Sequence, residues 1–324
     1  MSSKKDLIVS NLKVHFGGGK KLLSGKKPTV HAVDGVSFTI PSGTTFGIVG
    51  ESGSGKTTTA LGIMRLVPIT AGSVTLGGTE ISALEKDALR AARSRFQIIF
   101  QDPYSSLDPR KRAGEIVRQP LDLMSIGTVE ERKDKVAELF TQVGLRPEQQ
   151  HLFPHQFSGG QRQRIGLARA LSTRPDLIVC DEPVSALDVA IQAQILNLMS
   201  ALQTDLGLTY LFISHDLGVV QHICDEIAVM YLGQIVEQAD RVTLFKNPRH
   251  PYTKALLEAV PSVHGINRDR SHRTRLRGDP PSPINLPKAC RFASRCPRAE
   301  ARCHSEIPPL EENKTGHKVA CFFA

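Results

Sequence analysis

Gly50-Glu51-Ser52-Gly53-Ser54-Gly55-Lys56-Thr57 is a glycine-rich stretch that closes on a lysine and a threonine, matching the pattern GxxxxGK[ST]. The β-rich run Thr45–Val49 leads into it, and Thr57–Leu66 behind it has helical composition, so the local reading is strand, loop, helix. Glycines let successive backbone N–H groups wrap an anion, and the N-terminus of the following helix adds its partial positive charge. Such a loop binds a polyphosphate. Lys56 would reach the β and γ phosphates, the Thr57 hydroxyl would hold Mg2+, and Thr58 continues the same first turn. A chance glycine-rich turn is the competing reading, and the agreement of pattern with context argues against it.

Working outward, Leu7–Phe16 and Val30–Ile40 read as strands, separated by the Gly/Lys-rich loop GGGKKLLSGKKP. Leu177–Cys180 and Thr209–Ile213 are short, wholly apolar runs, the signature of parallel strands covered on both faces. Ile227–Tyr231 and Gln234–Glu237 resemble a hairpin turning at Leu232-Gly233. Between Tyr104 and Phe157 lie helix-like stretches such as Val129–Val143, which read as an inserted helical subdomain. Beyond Phe245 the composition shifts to proline, arginine and cysteine. The expected fold is therefore an α/β core with a β-rich N-terminal sheet, a helical subdomain at about 104–157 and a small C-terminal extension. The boundary falls between 1–245 and 246–324, and no internal repeat is visible.

Leu177-Ile178-Val179-Cys180-Asp181-Glu182 sets two carboxylates directly after an apolar strand, at the sheet edge where a phosphate loop also opens. Asp181 there would orient Mg2+ and Glu182 would polarise the attacking water as general base. The plainer alternative is that these acids cap a following helix.

Phe157-Ser158-Gly159-Gly160-Gln161-Arg162-Gln163-Arg164 resembles the signature motif of ABC ATPases. Ser158, Gly159 and Gly160 precede a helix beginning near Gln161, a second anion-binding helix terminus. The resemblance implies that this motif contacts the γ-phosphate held by an opposite subunit, so that two cassettes sandwich two ATP molecules as a dimer. Other family motifs follow in order. Gln101, in Ile99-Phe100-Gln101-Asp102-Pro103, resembles the Q-loop glutamine that meets Mg2+ and the membrane subunit; Ser185-Ala186-Leu187-Asp188 looks like the D-loop; His215, in Ile213-Ser214-His215-Asp216, looks like the switch histidine. Phe16 reads either as the aromatic that stacks on adenine or as a core phenylalanine. The run Gln101-Asp102-Pro103-Tyr104-Ser105-Ser106-Leu107-Asp108-Pro109-Arg110 and the later His250-Pro251-Tyr252-Thr253-Lys254-Ala255-Leu256 resemble the oligopeptide/dipeptide importer subfamily. That implies a peripheral ATPase at the cytoplasmic face of a membrane. Its partners would be a second, frequently paralogous, ABC ATPase subunit, two transmembrane permease subunits and an extracytoplasmic substrate-binding protein.

Composition sets bounds on this. The 324-residue chain is 40% hydrophobic, enough for one sizeable core and a smaller appendage. Its longest apolar runs, Leu177–Cys180 and Ile227–Leu232, fall far short of the roughly 18 to 20 residues of a membrane span, and the N-terminal patch is too short for a secretory signal. Lys and Arg total 41 against 32 acids, a net charge of +9, with an excess between His264 and Arg302 that suits either anion binding or a solvated face. A soluble ABC ATPase acting on nucleic acid or ribosomes is the alternative this charge favours, but such chains commonly carry two cassettes or a coiled-coil insertion, and neither is present. Intact Glu182 and His215 oppose a non-hydrolysing regulatory subunit.

Of six cysteines, Cys290, Cys296, Cys303 and Cys321 crowd into the tail as C-x5-C-x6-C-x17-C. In a reducing compartment four thiolates suggest a metal site, either tetrahedral zinc or a 4Fe-4S cluster, with unligated thiols as the third reading. The absence of close CxxC knuckles disfavours zinc, and the pattern resembles subfamily members whose tail cysteines hold an iron-sulfur cluster. Because the ATP motifs lie outside this tail, replacing its cysteines is expected to cost tail order and subunit assembly before nucleotide binding.

Overall fold

The apolar runs are strands and the amphipathic ones helices. The computed structural model describes residues 5–17, 28–102, 106–259, 278–313 and 316–324. Most of the Gly/Lys-rich loop, Pro103–Ser105 with Tyr104, and the first part of the basic stretch after His264 lie outside the described residues. In chain order the elements are β1 (Leu7–Gly17), β2 (Thr29–Ile40), β3 (Thr45–Val49), α1 (Lys56–Ile63), β4 (Ala71–Leu76), β5 (Thr79–Glu80) and α2 (Lys86–Ala92). There follow β6 (Phe96–Ile99), α3 (Ala113–Leu123), α4 (Val129–Gln142), α5 (Gly159–Leu171), β7 (Leu177–Asp181), α6 (Val189–Leu206), β8 (Thr209–Ser214) and α7 (Leu217–Ile223). The chain ends with β9 (Glu226–Tyr231), β10 (Gln234–Asp240), α8 (Arg241–Lys246), α9 (Pro251–Ala259), β11 (Glu311–Glu312) and β12 (Lys318–Val319). Among the described residues no helix is long and apolar enough to cross a membrane.

These elements gather into two compact units: one takes the chain up to Leu7, Ile40–Thr45 and Thr75–Ile213, the other Ile8–Thr39, Phe46–Val74 and Ser214–Ala324. In the first, β6, β7 and β8 run parallel, and every residue of β7 and β8 is buried, as a sheet covered on both faces requires. The register sets Ile99 opposite Cys180 and Asp181 opposite Ile213. Residues two beyond β6 and two beyond Cys180 therefore emerge side by side at the carboxyl edge of the sheet. The same unit carries α3 and α4, and α5 fastens the loops around them by arginines. Arg162 donates to the Pro154 carbonyl at 2.7 Å, Arg164 to that of Val143 at 2.6 Å and Arg169 to that of Ser106 at 2.7 Å.

In the second unit β3 runs parallel to β9, β10 returns antiparallel to β9, and β12 then β11 extend the sheet beyond β10. The β9–β10 turn is Leu232-Gly233, both at positive φ (43° and 79°), the pairing of left-handed residues that matches strand twist in a two-residue hairpin. The C-terminal residues are thus woven into the sheet. Fully buried Glu237 on β10 explains how: its carboxylate accepts from the Arg249 and His250 backbone N–H groups (2.6 and 3.0 Å) and lies 2.7 Å from His317 Nε2. A buried carboxylate needs such partners, and these tie β10 to α9 and to the last strand. His250 is buried as well, which pushes its imidazole down to about 3, and its Nδ1 accepts from the Tyr252 N–H at 3.1 Å.

Helix α1 stops at Ile63, short of the expected Leu66. Arg65 adopts a left-handed φ of 51°, and the Leu66 N–H bonds back to the Leu61 carbonyl at 2.9 Å, a helix-ending turn ahead of Pro68.

Candidate functional site

The glycine-rich loop adopts a conformation only its glycines allow. Gly55 has φ 106°, and a Cβ there would stand 2.2 Å from the Ala32 carbonyl oxygen; at Gly50 it would stand 2.3 Å from that of Met230. The loop is thus pressed against β2 and β9, and any side chain would push it off. Lys56 is 5% exposed, and its ammonium donates to the Gly50 and Glu51 carbonyls at 2.8 and 2.9 Å. Ser54 is buried while Ser52, Gly53 and Thr57 are exposed, so the open side of the loop is Ser52-Gly53 and the start of α1.

Glu51 is a hub that sequence reasoning missed. Its N–H donates to the Tyr252 hydroxyl at 2.9 Å, and its carboxylate receives both arms of the Arg295 guanidinium at 2.7 and 3.0 Å. Tyr252 belongs to the His250–Leu256 motif and Arg295 stands next to Cys296, so the C-terminal extension grips the phosphate loop. Tail and nucleotide loop are thus in direct contact, which their separation in sequence offered no reason to expect. The partners lie over 200 residues apart in sequence, at a separation of 201 for Tyr252 and 244 for Arg295, which local patterns do not reveal.

In the first unit the β6–β7 register brings two expected residues together: the Gln101 carboxamide donates to the Glu182 carboxylate at 2.9 Å. Asp181, at the end of β7, is 5% exposed. Glu182 takes a left-handed φ of 48°, with its N–H donating to the Ile213 carbonyl at 2.9 Å and its own carbonyl accepting from Ser185. A non-glycine residue held this way stores strain that the surroundings must over-determine, a frequent mark of functional positions.

Ser158 caps α5. Its hydroxyl accepts from the Gln161 N–H at 3.3 Å while the Gln161 side chain accepts from the Ser158 N–H at 3.0 Å, a reciprocal capping box. A Cβ on Gly160 would meet Ile191 of α6 at 2.5 Å, and one on Gly159 would meet Leu187 at 3.3 Å. These glycines therefore also let α5 and α6 close on each other. Asp188 caps α6 through the Ile191 N–H at 3.0 Å, beside Val189, which is 80% exposed.

In the second unit, His215 lies exposed just ahead of α7, whose cap is Asp216. Phe16, at the end of β1, is 40% exposed and so is not spent on the core. Next to it, His15, His31 and Asp34 converge, with His15 Nε2 3.3 Å from both His31 Nδ1 and Asp34 Oδ1. Among the described residues only this group has three ligand atoms within 4.8 Å of one another. Burial pushes the Asp34 carboxyl up, but Arg291, Lys13 and His15 more than offset it and hold it below the usual carboxylate range. Two fixed cations already face that carboxylate, and a metal ion would be repelled by both.

Cys290, Cys296, Cys303 and Cys321 line one small cavity with Ala293, Phe292 and Phe322. Burial pushes the Cys290 and Cys296 thiols up, and the neighbouring thiols push in the same direction. No three of the four sulfurs fall within 4.8 Å of one another. Four thiols around one cavity are a donor set that either tetrahedral zinc or an iron-sulfur cluster takes.

Comparisons with known proteins place the chain in a family. Residues 33–185 match the family "ABC transporter", and residues 236–303 match "Oligopeptide/dipeptide transporter, C-terminal region". The chain is 50% identical over 316 residues to the putative oligopeptide transport ATP-binding protein YkfD of Bacillus subtilis, covering 97% of this chain and 94% of the relative. It is 48% identical to the oligopeptide transport ATP-binding protein AppF of the same organism (97% and 96% covered), and 50% identical to a putative peptide import ATP-binding protein of Brucella ovis (91% and 93%). Among solved structures, the dimeric ATP-binding cassette MJ0796 in a post-hydrolysis state with ADP and Pi superposes with a TM-score of 0.64 at 28% identity, over 72% of this chain and 98% of that one. Half of its residues shared along nearly the whole length with such relatives make this chain an ATP-hydrolysing subunit of the ABC transporter family, bearing the C-terminal region of its oligopeptide/dipeptide branch.

Proposed function

We propose that this chain hydrolyses ATP to drive peptide import through two permease subunits, paired with a second ABC ATPase and supplied by an extracytoplasmic binding protein. The observation that carries the reading is the Gln101–Glu182 hydrogen bond at the carboxyl edge of the parallel sheet, with Glu182 held at a left-handed φ. The relatives' names supply peptide as cargo, and the +9 charge has no nucleic-acid motif beside it. Residues 1–245 form the nucleotide-binding part, with its helical segment at 104–157, and 246–324 the extension.

ATP is bound by the loop Gly50–Thr58, with Lys56 on the β and γ phosphates and Phe16 against the adenine face. Thr57, Gln101 and Asp181 offer a hydroxyl, a carboxamide oxygen and a carboxylate, an all-oxygen set that suits Mg2+. When bound, that ion neutralises charge on the phosphates. Glu182 takes a proton from the attacking water as oxygen bonds to the γ-phosphorus. The bond to the β-bridging oxygen breaks and its electron pair leaves with ADP. Gln101 orients the Glu182 carboxylate, and His215 hydrogen-bonds the γ-phosphate. Ser158, Gly159, Gly160 and Gln161 present a helix N-terminus to the γ-phosphate of the partner subunit, and the exposed Val189 beside the cap of α6 suits a face covered by that partner. The partner is a paralogue in preference to a second copy, and attachment to the cytoplasmic face of the membrane runs through the permeases near Gln101.

The four tail cysteines hold a 4Fe-4S cluster in preference to zinc, a reading supported by four thiols lining one cavity with no close CxxC pair among them. Bound there, a cluster cross-links the segments carrying Cys290, Cys296, Cys303 and Cys321. The test of the transport reading is the ATPase rate of the assembled transporter in liposomes. Peptide-loaded binding protein on the outside should stimulate it, whereas stimulation by RNA and not by peptide would contradict the reading.

A further inference from the structure

The C-terminal extension reaches the phosphate loop through two side chains, Tyr252 and Arg295, and the charged one is Arg295. Arg295 is 6% exposed, lies 5.8 Å from the centre of the Tyr231 ring, and forks onto the Glu51 carboxylate at 2.7 and 3.0 Å. Such a bidentate, charge-assisted pair fixes orientation as well as distance. Glu51 is held from a second side by Tyr252, and its carbonyl accepts from the Lys56 ammonium at 2.9 Å and from the Ser54 N–H at 3.2 Å. One residue thus joins the extension to the lysine of the loop. Charge matters too. Glu51 places a carboxylate inside a loop that must accept a polyanion, an arrangement that repels the ligand unless the charge is offset. Arg295 offsets it, and the Glu51 carboxylate in turn raises the Arg295 guanidinium, keeping it charged.

We propose that Arg295 is a positioning residue of the nucleotide site: it neutralises Glu51 and holds it so that Glu51 in turn holds Lys56 for the phosphates. The proposal rests on the reading of Gly50–Thr58 as a nucleotide loop. It also gives the extension a task in the ATPase, because Arg291 and Arg295 lie between Cys290 and Cys296. Arg291 grips Asp34 and the Leu232 carbonyl while Arg295 grips the loop, so both ends of one short segment brace the same unit.

The test is equilibrium titration of the purified full chain with the magnesium complex of ATPγS, with thermal unfolding of the free protein as the folding control. Losing hydrogen bonds to a charged group predicts about tenfold weaker binding for Arg295→Gln, and Arg295→Lys, which keeps the charge without the fork, should fall between it and wild type. The double variant Glu51→Gln/Arg295→Gln should bind more tightly than Arg295→Gln alone, because the uncompensated carboxylate is gone. A merely structural arginine would not produce that rescue. A double variant as weak as or weaker than Arg295→Gln, or Arg295→Lys binding as tightly as wild type, overturns the proposal while wild-type binding leaves the nucleotide loop intact. Wild-type protein that binds no nucleotide overturns both.

Discussion

Gln101 and Glu182 meet because Ile99 and Cys180 stand opposite each other in parallel strands, so side chains two residues further on emerge together, 2.9 Å apart. The hydrogen bond fixes the orientation of the Glu182 carboxylate, the group proposed as the base. Glu182→Gln is therefore expected to keep ATP affinity and lose most turnover, roughly a hundredfold or more, since an amide is no base. Rapid-quench assays on the assembled transporter measure this, and near-normal hydrolysis would remove Glu182 from the role.

Ser158 caps α5, and in the proposed dimer it also faces the partner's nucleotide. Ser158→Arg should abolish turnover at the site built on the partner's phosphate loop and leave this chain's own nucleotide affinity unchanged. A mixed dimer with only one variant subunit separates the two sites. Loss confined to this chain's own loop would refute the shared-site arrangement.

Phe16 is exposed at the end of β1 and free to stack. Phe16→Ala should weaken ATP binding by about three- to tenfold, the worth of an aromatic contact, while leaving the affinity for inorganic tripolyphosphate unchanged. Equal losses for both ligands would show that Phe16 supports the fold and not the base.

The cysteine cage has a chemical signature. Protein purified without oxygen should be brown, with iron and acid-labile sulfide in about equal amounts, and Cys296→Ser or Cys303→Ser should bleach it, because a hard hydroxyl replaces a soft thiolate poorly. Colourless protein with stoichiometric zinc would overturn the cluster and keep the four ligands.

Much of this was legible in the sequence because its cues are local. The loop Gly50–Thr57 announces its conformation through glycine spacing, and β7 and β8 announce burial through uninterrupted apolar runs. Helix ends were less legible: Arg65 in a left-handed conformation closes α1, and no residue type marks that position. The β6–β7 register, which makes partners of Gln101 and Glu182, is set by tertiary packing. The grip of Tyr252 and Arg295 on Glu51 was invisible for the same reason. Tyr252 marked a subfamily and Arg295 was one charge in a basic stretch until the fold set both against the loop. Gly159 and Gly160, read as phosphate-facing, also owe their size to Leu187 and Ile191.

The central claim is that ATP hydrolysis by this chain moves peptide across a membrane, and uptake measures it directly. Proteoliposomes holding the chain, its partner ATPase and both permeases, with binding protein and a radiolabelled oligopeptide outside and MgATP inside, should accumulate peptide at a rate that falls to background with Glu182→Gln. Hydrolysis at the normal rate with no accumulation of any peptide offered, or accumulation that persists with Glu182→Gln in both ATPase subunits, would contradict it.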